Sequence, residues 1–519
     1  MRSRSRALPW LVLAALVLSA AAAALEVIAA RIVDADLIAG RIARELGDER
    51  GEVSVGAAAF SLFRGRVEMR DVVVVQPRRG ILAADRLVLG GVPPFGRGEG
   101  RPLEIDRIMV ERPFVYRSFR SLVDEGGPRD RAADSAAFRV GELRIEGATV
   151  LVRGGGTPGP RTRLVRDLDI DARGLELDRI GRIVGPPESL AWRSGRVLRV
   201  RADGLTRLTF DSTRASSRDS SLLLQGGRYG PIGSDGEFLR RLDRREDRIR
   251  ARLPWIALRA VDVGALPFRK LEARAIDFDA VHLDVLTDRR IPAGPSTPWL
   301  PRELLRSFEG ELRVDTARLR GRIEYRDHPP ESVPGPGRIV FDDIDAHVLG
   351  ISNAPEAPSI VARATMRVFE APAEIRLEIP TRGEEFRMSM EGRTGALDLP
   401  ELNALTVPLE GIEFQDGRLE GMRFDIRVEG RTAGGTVWVA YHGLDVQIVD
   451  RRTGEGNLFD DIGSFLANTF VFRGDNMPDD GAVEAPVRGV VEYYVPSDVS
   501  FFSRVWGPIR SGLMAVARK

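Results

Sequence analysis

The chain has 519 residues, a formal net charge of +1 at pH 7 and no cysteine. Arginine is interleaved with aspartate and glutamate, which argues against a dedicated nucleic-acid binder, because such proteins carry a basic patch or stripe. The lack of cysteine excludes disulfides, thiol catalysis and thiolate metal sites. With 43% apolar and 29% charged residues, the composition is that of a folded protein.

The N-terminus carries a hydrophobic segment that follows three positive charges. Arg2, Arg4 and Arg6 precede an apolar run from Ala7 to Leu25, which as a helix would span roughly 28 Å, the thickness of a bilayer core. The charge asymmetry predicts a cytoplasmic N-terminus and a body on the outer side of the membrane. The alternative is a cleaved signal peptide, since Ala20–Ala24 offers small-residue cleavage sites. Either interpretation places the body outside the cytoplasm.

The rest of the chain is dominated by a period of two. Apolar and charged residues alternate in Leu143-Arg144-Ile145-Glu146 and in Ile375-Arg376-Leu377-Glu378-Ile379, among many similar segments. Successive side chains of a strand point to opposite faces, so each segment has one apolar and one charged face. This pattern is typical of antiparallel sheets that are packed, or covered by lipid, on one side only.

Helical signals are few. A short helix is predicted at 301–307, residues 236–252 are ambiguous between helix and strand, and further helices are predicted at 27–46 and 457–469. The clearest pattern is at the C-terminus, where apolar residues follow helical spacing. These residues are Phe502, Val505, Trp506, Ile509 and Leu513. With neighbouring arginines they predict membrane contact by an interfacial helix, or alternatively a helix that caps the β core.

No catalytic motif is present, so the sequence predicts no enzyme and no cofactor. The four histidines are scattered, and no two have the spacing of metal ligands. Two acidic groups, Asp167–Asp171 and Asp342–Asp345 followed by His347, are the pattern of a solvated charged strand face. A Ca²⁺ site in the first group and a transition-metal site in the second are the alternatives.

Several segments together resemble a known family. A short anchor is followed by the strand–glycine motif 60–67 (FSLFRGRV) and by the strand–proline signature 105–113 (IDRIMVERP). The C-terminal stretches 465–470 (FLANTF) and 500–506 (SFFSRVW) are similar to AsmA-related proteins. The chain thus resembles the AsmA-like superfamily of Gram-negative envelope proteins, relatives of TamB and of bridge-like lipid transfer proteins.

The resemblance implies a mainly β fold, an elongated curved antiparallel sheet forming a groove with an apolar interior. It implies a membrane anchor or signal peptide at 1–30, the β-groove at 31–450, and C-terminal amphipathic helices at 451–519 that close the groove or touch membrane. The implied groove-lining residues are Val67, Met69, Leu143, Ile145, Ile276, Phe278, Leu312, Val314, Ile375, Leu377, Phe424 and Ile426.

The implied role is binding of phospholipid acyl chains and lipid transport between inner and outer membranes by a single-pass inner-membrane protein with a periplasmic body. Outer-membrane or other envelope proteins are further implied partners. One alternative is an assembly factor that binds outer-membrane proteins through open strand edges. A second alternative is a hydrolase on a β scaffold, which would need acidic residues to converge in a pocket.

Overall fold

The computed structural model describes residues 52–517, with gaps inside that range. The gaps are 62–64, 77–79, 92–101, 119–135, 137, 155–160, 179–182, 202, 293–299, 309, 331–332, 384, 451–472, 479–486, 497–498 and 500. The predicted N-terminal segment, the helix at 27–46 and the helix at 457–469 therefore lie outside the described residues. In the part of the chain that is described, no helix has the length and apolar character needed to cross a membrane.

The fold is mainly β, and its described strands belong to one large mixed sheet. The strands are β1 Glu52–Ser61, β2 Arg66–Gln76, β3 Gly80–Gly90, β4 Leu103–Glu111, β5 Phe114–Ser118, β6 Phe138–Gly154, β7 Arg161–Leu177, β8 Ser189–Ser194, β9 Val197–Val200, β10 Thr206–Phe210, β11 Ser212–Ser216, β12 Ser221–Pro231, β13 Arg248–Arg259, β14 Lys270–Asp288, β15 Glu311–His328, β16 Gly337–Ser352, β17 Ile360–Val368, β18 Ala371–Ile379, β19 Arg387–Thr394, β20 Leu397–Asp398, β21 Ile412–Glu429, β22 Thr432–Ile448 and β23 Arg488–Tyr494. The prediction of a β-rich chain is confirmed.

The helices are short except for the last. They are α1 Asp235–Arg240, α2 Pro301–Arg306, α3 Asn403–Glu410 and α4 Phe501–Ala517, with 3₁₀ turns at Leu266–Phe268 and Leu399–Leu402. The helices predicted near 301–307 and at the C-terminus are confirmed. The ambiguous stretch 236–252 is both: Ser234 and Glu237 form a capping box at the start of α1, and β13 begins at Arg248.

The sheet is not wholly antiparallel, which corrects the prediction. Strands β4 and β5 both pair with β6 in parallel, while both pair with β3 antiparallel. The two act as one long strand interrupted at Arg112-Pro113, where Arg112 has a positive φ of 45°. Phe138 at the start of β6 pairs with Leu103 at the start of β4, so β6 runs in the same direction as β4 and β5.

Two compact units divide the chain. Unit 1 comprises residues 1–232, 255–274 and 309–311, and unit 2 comprises residues 233–254, 275–308 and 312–519. Unit 1 includes β1–β12, and unit 2 includes β16–β23 with all four α-helices.

Bulges interrupt the long strands of unit 2. Gly321 has a φ of 159° and lies where the β15–β16 register shifts; a Cβ there would overlap the carbonyl oxygen of Val281. In β16 the register with β17 shifts between Asp342 and Asp345, and Asp343 has a φ of 51°. Because a bulge adds one residue to its strand, it changes which residues point to the apolar face. In β16 these are the odd-numbered residues before the shift and the even-numbered residues after it.

Ion pairs between strands organise the charged face. In unit 1, Arg86 of β3 donates to Glu68 of β2 at 2.9 Å and to Glu111 of β4 at 2.9 Å. Hydrogen bonding from Arg86, assisted by Arg70, lowers the pKa of Glu68 from 4.5 to about 2. One guanidinium thus links three neighbouring strands through its forked donors.

Replacing Glu68 by Gln tests the ion pair with Arg86 through the pH dependence of stability. A carboxylate whose folded pKa is lowered stabilises the fold above its unfolded pKa, and this contribution disappears as pH falls through the folded value. Glu68→Gln is therefore expected to lower the urea midpoint at pH 7, with the deficit shrinking between pH 4.5 and about 2. The exposed Glu104→Gln is the control, and a deficit of the same size at pH 7 and pH 2.5 would contradict the assignment.

Candidate functional site: the apolar face of the sheet

The four groove-lining residues predicted in unit 1 come together on one face. Directly paired residues of neighbouring strands share a face, and the registers join β2, β3, β4, β6 and β7 into two rows, here called the N-terminal rows. They are Val67–Leu89–Ile108–Leu143–Ala172 and Met69–Leu87–Val110–Ile145–Ile170.

The N-terminal rows are completely buried. Every residue in them is at most 4% exposed, and Met69, Leu89 and Ile145 are at 0%. Side chains this completely occluded are packed at the density of an ordinary protein core. This part of the apolar face therefore offers no surface to a guest molecule.

A second pair of rows crosses unit 2 from β15 to β21. These C-terminal rows are Ala317–Val348–Ala362–Leu377–Met390–Ile426 and Leu319–Ala346–Ala364–Ile375–Gly392–Phe424. They bring together four of the predicted residues, Ile375, Leu377, Phe424 and Ile426. Met390, Ile426 and Phe424 are buried, at 0%, 0% and 5% exposure.

Burial in the C-terminal rows decreases toward β16–β18. Val348, Ala362, Ala364, Ile375 and Leu377 are only half-buried, and we call these five residues the half-open segment. Arg363 and Arg376, which alternate with them along β17 and β18, point to the charged face and are exposed. The half-open segment is thus an apolar surface that the chain itself covers incompletely.

The remaining predicted residues are distributed differently. Ile276 and Phe278 of β14 are half-buried. Leu312 and Val314 do not share the face of the C-terminal rows, because Val314 pairs with Ile351 whereas Ala317 pairs with Val348, with no register shift in between. Residues an odd number apart on an unbulged strand face opposite ways. Leu312 and Val314 therefore lie on the face opposite to that of Ala317.

The apolar side of α4 packs on the sheet of unit 2. Phe502 stacks against Tyr325 with ring centroids 4.2 Å apart and meets Phe341 edge-on at 6.0 Å. Ile509 is 6% exposed in the core that contains Val437. Val505, Trp506 and Leu513, the other residues predicted to contact membrane, pack against the same core and are half-buried. This is the arrangement expected for a helix that caps the β core.

Two glycines set how closely α4 approaches the sheet. A Cβ on Gly489 of β23 would overlap the backbone of Gly512, and a Cβ on Gly512 would overlap the side chain of Val437. Backbone-to-backbone approach of this kind is possible only without side chains. Sequence periodicity did not identify these positions, because a glycine has no side chain to contribute to the pattern.

The acidic groups are paired with arginines. Asp169 accepts from Arg193 at 2.5 Å, and Asp345 accepts from Arg318 at 2.5 Å, which lowers the Asp345 pKa. His347 lies 3.3 Å from Asp345. Across the described ranges, no group of three or more His, Asp or Glu side chains has the geometry to hold a metal ion.

A buried polar chain in unit 2 was not predicted. Thr287 donates to Asp247 at 2.6 Å and lies 3.0 Å from the hydroxyl of Tyr325. Burial raises the pKa of Asp247. The chain of contacts fixes the Tyr325 ring, on which Phe502 stacks. No local sequence motif predicts this chain of contacts, because Asp247 precedes β13, Thr287 lies in β14 and Tyr325 lies in β15.

Two matched truncations test the difference between the two pairs of rows. Ile145→Ala should cost about 3–5 kcal/mol of unfolding free energy, because it opens a cavity in a fully packed core. Leu377→Ala should cost about 1–2 kcal/mol, because its side chain already meets water in part. Urea denaturation measures both, and equal losses would contradict the claim that the N-terminal rows are filled and β18 is not.

The comparisons with known proteins do not assign a function to this apolar face. Neither the comparison with protein-family models nor that with curated proteins gives a match. The likeness to the AsmA-like superfamily, drawn from the sequence segments, stays a prediction.

Proposed function

We propose that the chain is an AsmA-like envelope protein that binds phospholipid acyl chains on the apolar face of its sheet and supports lipid transport between the inner and outer membranes. In this proposal it is an inner-membrane, single-pass protein with a periplasmic body. It acts without a cofactor and without catalysis, and nucleic acids are not its partners.

The half-open segment is the observation that supports this proposal best. Soluble proteins normally bury a contiguous apolar strand face, and faces left open mark binding sites. Here every row position on β16–β18 is half-buried, whereas Met390 of β19 and Phe424 and Ile426 of β21 are buried. We therefore assign the acyl-binding surface to Val348, Ala362, Ala364, Ile375 and Leu377 rather than to all twelve predicted residues.

The energetics suit a lipid guest. Each methylene transferred from water to an apolar surface contributes about 0.8 kcal/mol, so a few methylenes on the half-open segment give measurable binding without any directional bond. An acyl chain has no polar groups, so binding it requires no set of hydrogen-bonding side chains in fixed positions. Headgroups would remain in water.

The anchoring part of the proposal depends on the sequence alone. The run from Ala7 to Leu25 has the length and the flanking charge of a retained inner-membrane helix. It would hold the β body close to one source of phospholipid. The charge balance of +1 gives no reason to expect nucleic acid as a partner.

One observation favours an assembly role as the second candidate. Val490 and Tyr494 of β23 are 62% and 58% exposed, and β23 pairs only with β22 in the part of the sheet that is described. An edge strand with outward apolar side chains is a template for β-augmentation. An assembly factor would use this edge and leave the half-open segment empty.

Two neighbouring substitutions on β17 test lipid binding. Ala362→Glu places a charge on the apolar face, directly opposite Leu377, and should reduce copurifying phospholipid at least tenfold, because a carboxylate would have to be desolvated by acyl chains. Arg363→Glu places the same charge on the other face, opposite Arg376, and should leave lipid content unchanged. Lipid is measured by mass spectrometry of the purified full chain with matched circular dichroism.

The outcome also separates the two candidates. If the folded wild-type protein carries no phospholipid, lipid transport is rejected. A photo-crosslinker at Val490 that captures outer-membrane proteins in that case supports the assembly role instead.

A further inference from the structure

The period-two alternation stops at one end of the strands of unit 1. Continuous apolar runs occur at 72–75 (VVVV), 114–116 (FVY) and 150–152 (VLV), which lie toward the end of β2, in β5 and toward the end of β6. A strand with such a run has apolar side chains on both faces, a pattern typical of sheets that are covered on both sides.

One face of this end of the sheet belongs to the buried core. The registers of β2, β3, β5, β6 and β7 align a row of residues that are each at most 7% exposed. This row is Val74–Leu82–Val115–Val150–Val165.

The opposite face carries an apolar row as well, here called the outer row. Its members pair directly with one another from β2 to β9, in the order Val75–Ile81–Tyr116–Leu151–Leu164–Leu198. Ile81 is 36% exposed and the other five are half-buried. Phe114, two positions before Tyr116 on the same face, is 38% exposed. The side of the sheet that elsewhere carries the ion pairs of Arg86 is thus apolar here, and exposed apolar patches mark contacts with partners or membranes.

Arginines border the outer row at the ends of the same strands. Arg153 lies two positions beyond the outer row on β6 and is exposed, as is Arg207 at the start of β10. Asp203, between β9 and β10, accepts from Arg201. A guanidinium on a long aliphatic stem attracts anionic headgroups while its stem stays on apolar surface. Tyrosine, here Tyr116, is enriched where acyl chains meet headgroups, because its ring is apolar and its hydroxyl is polar.

The chain enters unit 1 at this end. Strand β1 begins at Glu52, which pairs with Val75 of the outer row. Residues 26–51 connect this point to the apolar run Ala7–Leu25, which the sequence predicts to be a membrane anchor. The end of unit 1 that carries the outer row is therefore the end nearest to the predicted anchor along the chain.

We propose that the outer row and its arginines dock unit 1 on the surface of a bilayer that contains anionic phospholipid. The apolar side chains lie among the upper methylenes, and Arg153 and Arg207 contact the phosphates. This inference rests on the anchoring part of the proposed function. It adds a second lipid contact, formed by residues other than those of the half-open segment.

Quenching by brominated lipid tests the docking, since the chain has no cysteine of its own to interfere with labelling. Ile81→Cys places a fluorescent dye on the outer row. Glu104→Cys places it at an exposed position near the start of β4, where the outward residues are charged. Each full-length variant is reconstituted into vesicles of phosphatidylethanolamine and phosphatidylglycerol, with and without bromine in the acyl chains.

Bromine should lower the emission at position 81 roughly twofold or more, because the apolar face of an interfacial surface reaches the acyl boundary. Emission at position 104 should stay unchanged. Equal quenching at both positions, or none at 81, overturns the docking surface. Crosslinking of Ile81→Cys chains to one another in place of quenching overturns it too, because the outer row is then an interface between two copies.

Charge reversal tests the role of the arginines. Arg153→Glu combined with Arg207→Glu should reduce the quenching at position 81 several-fold, because carboxylates repel anionic headgroups. Arg363→Glu, an exposed charge reversal on unit 2, is the control and should leave the quenching unchanged. Equal quenching in the two variants would overturn the proposal.

Phospholipid that copurifies with the same samples separates this inference from the proposed function. Retained lipid without quenching at position 81 rejects the docking alone. Quenching without retained lipid supports the docking and rejects acyl-chain binding. A chain that does not enter the vesicles rejects the predicted anchor and the docking together.

Discussion

Cross-strand contact between apolar side chains on one face of the sheet is the interaction on which the rest of the structure depends. In unit 1 the registers align Val67, Leu89, Ile108 and Leu143 across four strands without a polar interruption. The opposite face is held by arginines that bridge carboxylates on adjacent strands, as Arg86 does. Surface ion pairs contribute little stability individually, so the apolar rows supply most of it while the charged face keeps the sheet soluble.

The same pattern is buried to different extents in the two units. Where the rows are completely occluded, as at Ile145, they form an ordinary core. Where they are incompletely covered, as at Leu377, apolar side chains stay partly exposed. Helix α4 packs within unit 2, where its glycine contacts reach β22 and β23 and its aromatic end reaches Tyr325.

Much of the architecture follows from the period-two alternation, which predicted the strands around Leu143 and Ile375 and the face on which those residues lie. The helical spacing from Phe502 to Leu513 likewise predicted α4. The parallel pairing of β6 could not be predicted, because the direction of a strand depends on where the chain returns and not on its own residues. The face on which Val314 lies could not be predicted either, because the apolar residues of β15 are even-numbered near its start and odd-numbered from Ala317 onward.

Which of the twelve apolar positions remain open could not be read from the sequence either. Ile145 and Leu377 stand in the same alternating context, yet their burial depends on which other elements pack above them. The glycines that seat α4 have no periodic signature, and the Asp247–Thr287–Tyr325 chain joins residues far apart in sequence. These features arise from tertiary packing, which overrides local pattern.

Mapping a photoactivatable phospholipid onto the chain tests the central claim most directly. The full-length protein is irradiated with a lipid that carries a diazirine in its acyl chain, and the modified residues are identified by mass spectrometry. The account predicts adducts on the apolar face of β16–β18, around Ala362 and Leu377, and none on the N-terminal rows. Adducts concentrated at Met69 or Ile145, or spread equally over both faces of the sheet, would contradict it.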